Sequence, residues 1–379
     1  MRRILPLLML TLVAGCESPE PPSRPGRDPI GIDRHMGAKP DPGFARALEV
    51  RDFEFPRDHG AHPEFATEWW YFTGNLQDTA ARSFGYQLTL FRVGLEPGEA
   101  NMDSAWRTHQ LYMGHLAISD IGSRRHHSAE RFSRASAGLA GARFSPLRVW
   151  VGPWSISSDQ EGVFPLRLEA ATADFGIDLT LQAPKKPIVL QGDRGLSQKG
   201  AEPGNASYYY SYTRLPTRGE IRIGGQRFQT DGNSWFDREW SSSALASDQA
   251  GWDWFALQLD NGSDFMFYRM RDRQGKAQRF SSGVFVGPGG EATPVTPEQI
   301  DLHPTRYWRS KQGTPYPVAW RLQAPDIALD LEIEAAFDDQ EMPLTVRYWE
   351  GAVKVHGSHP GVGYMELSGY GGMGVEPAE

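Results

Sequence analysis

The chain has 379 residues, 39 basic and 47 acidic side chains for a formal net charge of −8 at pH 7, and a single cysteine. An acidic chain with no basic run and no aromatics interleaved with lysines lacks the footprint of a phosphate-binding surface, which excludes nucleic acid and argues against anionic lipid head groups. One cysteine excludes an intramolecular disulfide, so the fold rests on its core, and a chain of this length can bury a sizeable one.

In chain order, Arg2 and Arg3 precede an apolar run, Ile4 to Val13, that is too short for a transmembrane helix and fits a secretory signal. The run ends Val13-Ala14-Gly15-Cys16, which resembles a bacterial lipobox. Residues 1–15 are therefore expected to be a signal peptide and Cys16 a lipidation site, with N-terminal acyl chains as the membrane anchor. The mature chain would carry 39 − 2 = 37 basic against 47 acidic residues, a net charge of −10. Glu17 is not the aspartate associated with inner-membrane retention, which points to the outer membrane and a periplasm-facing protein. Residues 16–43 are rich in Pro, Arg, Asp and Gly and too poor in aliphatic side chains to order themselves, so they read as a flexible tether or a partner-binding arm.

From Phe44 onward the pattern is that of strands. Apolar and polar residues alternate in Tyr86–Arg92, Ile177–Leu181, Trp252–Leu259 and Ile327–Glu334, the period-two signature. Turn chemistry separates them at Asp260-Asn-Gly262, Gly224-Gly225 and Gly287-Pro-Gly-Gly290. The fold class is all-β, a sandwich or a barrel. Trp69-Trp-Tyr-Phe-Thr-Gly-Asn-Leu followed by Ser83–Arg92 is echoed by Trp252-Asp-Trp-Phe-Ala-Leu-Gln-Leu followed by Asp264–Met270. Two aromatic hairpins, each ending on an arginine, predict two similar β-domains, 44–242 and 243–379, joined near Ser241–Ser247.

Candidate chemistry lies in the same segments. If Trp235–Trp240 is a strand, Trp235, Asp237 and Glu239 face one way and Phe236, Arg238 and Trp240 the other. In the first hairpin Glu68 shares a face with Trp70 and Phe72, while Trp69, Tyr71 and Thr73 line the opposite one. Two readings of these charges stand side by side. One is a structural ion pair, such as Arg238 with Glu68 or Glu350. The other is a general acid, Glu68, Asp237 or Glu239, driven toward its protonated form by aromatic walls. On this reading Glu68 is particular to the first hairpin, because Gly251 stands before Trp252 in the second. His109 and His115 would share one face of a strand over Gln110–Ile118, but their spacing is not that of a metal site, and no metal or other cofactor is expected. There is no Gly-x-Ser-x-Gly elbow, no phosphate-cradling Gly-x-x-x-x-Gly-Lys and no Gly-x-Gly-x-x-Gly opening a helix, which argues against serine hydrolysis and nucleotide chemistry.

Taken together, His62-Pro-Glu-Phe-x-x-Glu-Trp-Trp-Tyr-Phe-Thr-Gly-Asn-Leu76, Trp235-Phe-Asp-Arg-Glu-Trp240, Gly251–Asp260, Tyr348-Trp-Glu-Gly-Ala-Val353 and Gly363–Tyr370 resemble the AttH/carotenoid 1,2-hydratase family, also catalogued as predicted secreted hydrolases. The resemblance implies two tandem lipocalin-like β-barrels and an elongated apolar or polycyclic ligand held between aromatic walls. It also implies that hydratases carry histidine where Arg238 stands and a Tyr/Asp pair where this chain has Tyr268 and Arg269, a departure that weighs against hydration here. The leading expectation is a hydrophobic small molecule or lipid-like ligand bound in an aromatic cleft near the domain interface, by Trp69, Trp70, Tyr71, His109, Arg238, Trp240, Trp252, Trp254 and Tyr268. The alternative is a hydratase or lyase acting on an isoprenoid or polyketide. An accessory role beside an ABC-type permease follows from the expected anchor and from what family members accompany.

Overall fold

Strands dominate the folded chain because period-two apolar patterning and closely spaced Gly and Pro leave no room for long helices; the helical content is three single-turn 3₁₀ segments among the described residues. The structure is a computed structural model and describes residues 43–97, 108–160, 162–243 and 245–371. The expected signal peptide, Cys16 and the tether up to residue 42 lie outside the described residues.

The first sheet has 13 strands, all pairings antiparallel, between Thr67 and Ser241. Across it run Arg125–Arg134, Gln110–Asp120, Ser83–Gly94, Thr67–Asp78, Gln226–Ser241, Ala206–Ile223, Phe175–Leu181 and then four shorter strands down to Ala140–Arg143. It curls into a near-closed barrel whose core holds Trp70, Phe72, Leu88, Leu90, Tyr210, Phe236 and Trp240. The second sheet has 10 strands between Gln249 and Leu367, with Gln249–Leu259 and Gly361–Leu367 at its centre, and wraps around Phe255, Leu257, Trp320, Trp349 and Met365. Each such side chain stabilises the fold by roughly 1.5–3 kcal/mol on burial. The protein is thus two tandem lipocalin-like β-barrels.

The expected strands are present, with one adjustment. Ile327 belongs to a 3₁₀ turn, Pro325–Ile327, and the strand begins at Leu329. Pro325 starts that turn with its fixed φ, and Ala328 leaves it in the left-handed region at φ 54°. Gly224 and Gly225 both have positive φ, 56° and 83°, which a two-residue hairpin between Ala206–Ile223 and Gln226–Ser241 requires.

A third cluster, Tyr71, Tyr209, Trp235, Trp254, Ala256, Met266, Tyr268, Ala352 and Tyr364 among others, belongs to neither interior. It lies where the outer faces of the two barrels pack together. This explains why Trp69-Trp-Tyr-Phe does not alternate with polar residues: Trp70 and Phe72 fill the first barrel, while Tyr71 packs against Trp254 of the second. The faces approach closely at Gly85, where an added Cβ would stand 2.7 Å from the Tyr364 hydroxyl and 2.8 Å from the Ala352 Cβ. Hydrogen bonds cross the same interface from Asn75 Nδ2 to the Gly363 carbonyl (3.1 Å) and from Gln258 Nε2 to the Thr213 carbonyl (2.7 Å).

Candidate functional site

Between the two outer faces a cavity of about 150 Å³ remains, room for roughly one aromatic ring. A larger ligand would have to extend through the mouth. One wall comes from the first barrel and carries Trp69, Tyr71, Phe91, Met113, His115, Tyr209, Asp237 and Glu239. The facing wall carries Trp252, Trp254, Tyr268, Met270, Tyr348, Glu350 and Glu366. Strand alternation alone delivers these side chains: Tyr71 pairs with Asp237 across adjacent strands, and Glu350 with Glu366.

The Glu350–Glu366 register sets the electrostatics. Two like charges directly opposite each other on antiparallel strands repel, and Glu350 is fully buried while Glu366 is half-buried, so full ionisation of the pair is disfavoured. Burial pushes Glu350 well above the ordinary carboxyl range, and the charge of Glu366 adds to the rise against hydrogen bonds from Tyr71 and Tyr348. The Tyr71 hydroxyl donates to Glu350 Oε1 at 2.6 Å. Burial also pushes Glu366 up to about 7, although Trp252 Nε1 donates to it at 3.0 Å. Asp237 reaches about 7 for the same reason, burial outweighing donors from Ser211 (2.5 Å), Tyr209 (2.5 Å) and Trp235 Nε1 (2.7 Å). Trp254 Nε1 in turn donates to the Tyr209 hydroxyl at 3.2 Å. The tryptophans therefore act both as apolar walls and as the N–H donors that orient the acids. His115 Nδ1 lies 2.7 Å from the Tyr348 hydroxyl.

Glu68 sits on the other face of its strand, inside the first barrel. Its carboxylate is bound by Arg92 Nε and Arg238 Nη2, and both carboxylate oxygens accept the His62 backbone N–H at 3.1 Å. Burial alone would raise this carboxyl, but the two guanidiniums hold it well below the ordinary range. A carboxylate so held has no proton to give at neutral pH. Arg238 lies 3.9 Å from the Trp70 ring and donates to the Gly60 carbonyl at 2.6 Å, while Trp240 stacks on His62 at 3.8 Å. Arg92 Nη2 reaches the carbonyls of His62 (2.8 Å) and Phe65 (2.7 Å). The group fastens the segment before the first strand across the end of the barrel.

Of the residues singled out from the sequence, Trp69, Tyr71, Trp252, Trp254, Tyr268, Asp237 and Glu239 come together on the cavity walls. Glu68 also borders the cavity, but its carboxylate is taken up by Arg92 and Arg238, and Trp70, Arg238 and Trp240 are buried behind that wall. His109 stands before its strand, with Nδ1 3.2 Å from Glu96, and does not line the cavity.

The AttH-like family profile matches residues 46–370. The chain belongs to the AttH-like family. No curated protein sequence matches it significantly. Among solved structures it is similar to a protein assigned to AttH from Nitrosomonas europaea, with 34% identity, a TM-score of 0.77, and coverage of 86% of this chain and 100% of that one. Kievitone hydratase from Nectria haematococca shares the fold at 17% identity and a TM-score of 0.63, over 86% of this chain and 95% of that one. CghA, in a structure with Sch210972, shares it at 12% identity and a TM-score of 0.50, over 81% and 89%.

Two expectations tied to this AttH-like chain change. Arg238 in place of histidine does not bear on the acidity of the cavity, because the side chain at 238 points into the barrel. Glu68 is not without a counterpart either: Asp253, wholly buried in the second hairpin, is held by Arg269 (3.0 Å) and Arg271 (3.0 Å). The sequence reading missed Glu366, His115, Tyr209 and Lys199 as wall residues and saw Glu350 only as an ion-pair partner. The signal was there for the two glutamates: Tyr348-x-Glu350 and Tyr364-x-Glu366 each place a carboxyl two residues from a tyrosine, but their register depends on the turn at residues 358–360.

Proposed function

We propose that this AttH-like protein is a hydratase- or lyase-type enzyme acting on an apolar isoprenoid- or polyketide-like small molecule, with Glu350 as general acid and Asp237 as the group that receives the proton of the attacking water. The observation that carries this reading is the facing pair Glu350–Glu366 in an aromatic cavity: buried acids with raised pKa values cost stability and serve no packing purpose. Glu350, its carboxyl pushed by burial well above the ordinary range, transfers its proton to one alkene carbon. Water adds to the cation on the other carbon, and its surplus proton passes to the Asp237 carboxylate. One C=C π bond and one water become an alcohol, and exchange with solvent restores both carboxyls. Tyr71 positions Glu350, and Tyr209 with Ser211 positions Asp237.

The test is incubation in ¹⁸O-labelled water with kievitone and a panel of isoprenoid and polyketide alkenes, followed by mass spectrometry. A product heavier by one labelled water, reduced at least 10²-fold in Glu350→Gln at unchanged melting temperature, is expected. Labelled product formed equally by Glu350→Gln would sink the assignment. The binding-only reading predicts retention of the same compounds without label.

The Val-Ala-Gly-Cys16 motif supports placing the protein, by N-terminal acyl chains, on the periplasmic face of a membrane, the outer one by the Glu17 argument. Radiolabelled palmitate should enter the parent and not Cys16→Ser. Label in both, or in neither, would remove the anchor. An ABC-type permease partner would show as a stoichiometric crosslink in intact cells, and its absence would remove that role.

A further inference from the structure

The cavity is not uniform along its length. At one end the wall turns polar, around Lys199, which follows the strand Leu196–Gln198. The Lys199 side chain is 18% exposed, with its ammonium 3.4 Å from Glu239 Oε1 and 3.7 Å from the centre of the Tyr268 ring. The contact to Glu239 is longer than the 2.7–2.9 Å of a well-formed charge-assisted hydrogen bond, and with the Tyr268 hydroxyl as a second partner the ammonium still has a third donor to place. Ser207 lies on the same wall, buried, with a hydroxyl that has no hydrogen-bond partner. Register explains the grouping: Ser207 pairs with Ser241 and Tyr209 with Glu239, so one face of two strands delivers all four. An unpaired buried hydroxyl carries an uncompensated desolvation penalty, which a ligand oxygen would remove.

Lys199 is the cation available to a ligand. Arg92, the other basic residue along this wall, turns its guanidinium into the barrel toward Glu68. Burial pushes the Glu350 carboxyl well above its ordinary range, which weakens its opposition to an anion, and Asp237 and Glu366, raised to about 7, are the acids a bound anion has to face. We infer that the Lys199–Ser207 end is a subsite for an acidic oxygen head group, a carboxylate, phenolate or enolate, on an otherwise apolar ligand whose body lies between the aromatic walls. The inference rests on the cavity being a ligand site, as proposed above. It narrows the substrate class to amphipathic molecules that enter with one defined orientation, head at Lys199 and reacting carbon toward Glu350.

Isothermal titration of the full chain at pH 7.5 with cinnamate and cinnamyl alcohol, which share a ring and a short alkene, tests it. Cinnamate should bind at least tenfold more tightly. Lys199→Met should abolish that preference and leave the alcohol unchanged. Glu239→Gln, which removes the competing carboxylate, should tighten cinnamate severalfold, a gain that a purely structural ion pair would not give and that keeps the test open if Lys199→Met fails to fold. Equal binding of the two probes, binding of neither, or a preference that survives Lys199→Met would overturn the subsite. Glu350→Gln should keep the preference intact. A chain that prefers cinnamate but hydrates nothing therefore retains the subsite and loses the acid chemistry, and a chain that hydrates without the preference does the reverse.

Discussion

Glu68 and Asp237 stand on neighbouring strands and are driven in opposite directions by what surrounds them. Asp237 has neutral donors and a nearby carboxylate, Glu239, so burial prevails and its proton is held up to about 7. Glu68 has two guanidiniums, so burial loses. The consequence for Glu68 is structural. Glu68→Gln leaves Arg92 and Arg238 buried without their counter-charge, and breaking a buried pair in this way costs about 3–5 kcal/mol. Urea denaturation at pH 7 should read that loss, and a variant within 0.5 kcal/mol of the parent, taking ~0.5 as the neutral range for substitutions, would refute the clamp. The pH dependence has a fixed sign. The folded pKa of Glu68 is depressed, so its contribution is present above the unfolded value near 4.5 and is lost as pH falls through the folded one. The parent should lose stability on acidification below pH 4.5 more steeply than Glu68→Gln does.

At the scale of strands and hairpins, much of this was legible. Alternation assigned Trp235, Asp237 and Glu239 to one face and Arg238 to the other, and the structure has them so. What alternation cannot supply is which face meets a barrel interior and which meets a second barrel, since both are apolar in Trp69–Phe72. Glu68 was open to a reading as a neutral acid because Arg92, its cross-strand partner, is 24 residues away and is fixed only by the register Glu68↔Arg92. Matching the two hairpins on their aromatics sets Gly251 against Glu68 and gives no weight to Asp253. Aligned instead on cross-strand pairs, Glu68↔Arg92 and Asp253↔Arg269 are the same device. Cavity walls assembled from Tyr71 and Glu350, 279 positions apart in the chain, lie beyond any local pattern.

For the whole molecule the decisive fact is that the cavity belongs to neither barrel. Its acids need partners from across the interface: Tyr71 of the first barrel orients Glu350 of the second, and Trp254 of the second donates to Tyr209, which orients Asp237 of the first. The spacing of the two sheets is therefore a functional dimension, and Gly85 helps to set it. A side chain there must displace the Tyr364 hydroxyl and the Ala352 methyl, both nearer than van der Waals contact. Gly85→Val should push the sheets apart by about 1 Å at that point, with overpacking costing roughly 1–3 kcal/mol. Each barrel retains its own core, Trp70 and Phe72 in one and Phe255 and Trp320 in the other, so the damage should fall on their coupling. Scanning calorimetry should show one cooperative transition in the parent and two resolved transitions in Gly85→Val, with cinnamate no longer raising either. A single transition at the parent temperature, still raised by cinnamate, would mean that the barrels do not depend on this contact and that the cavity survives without it.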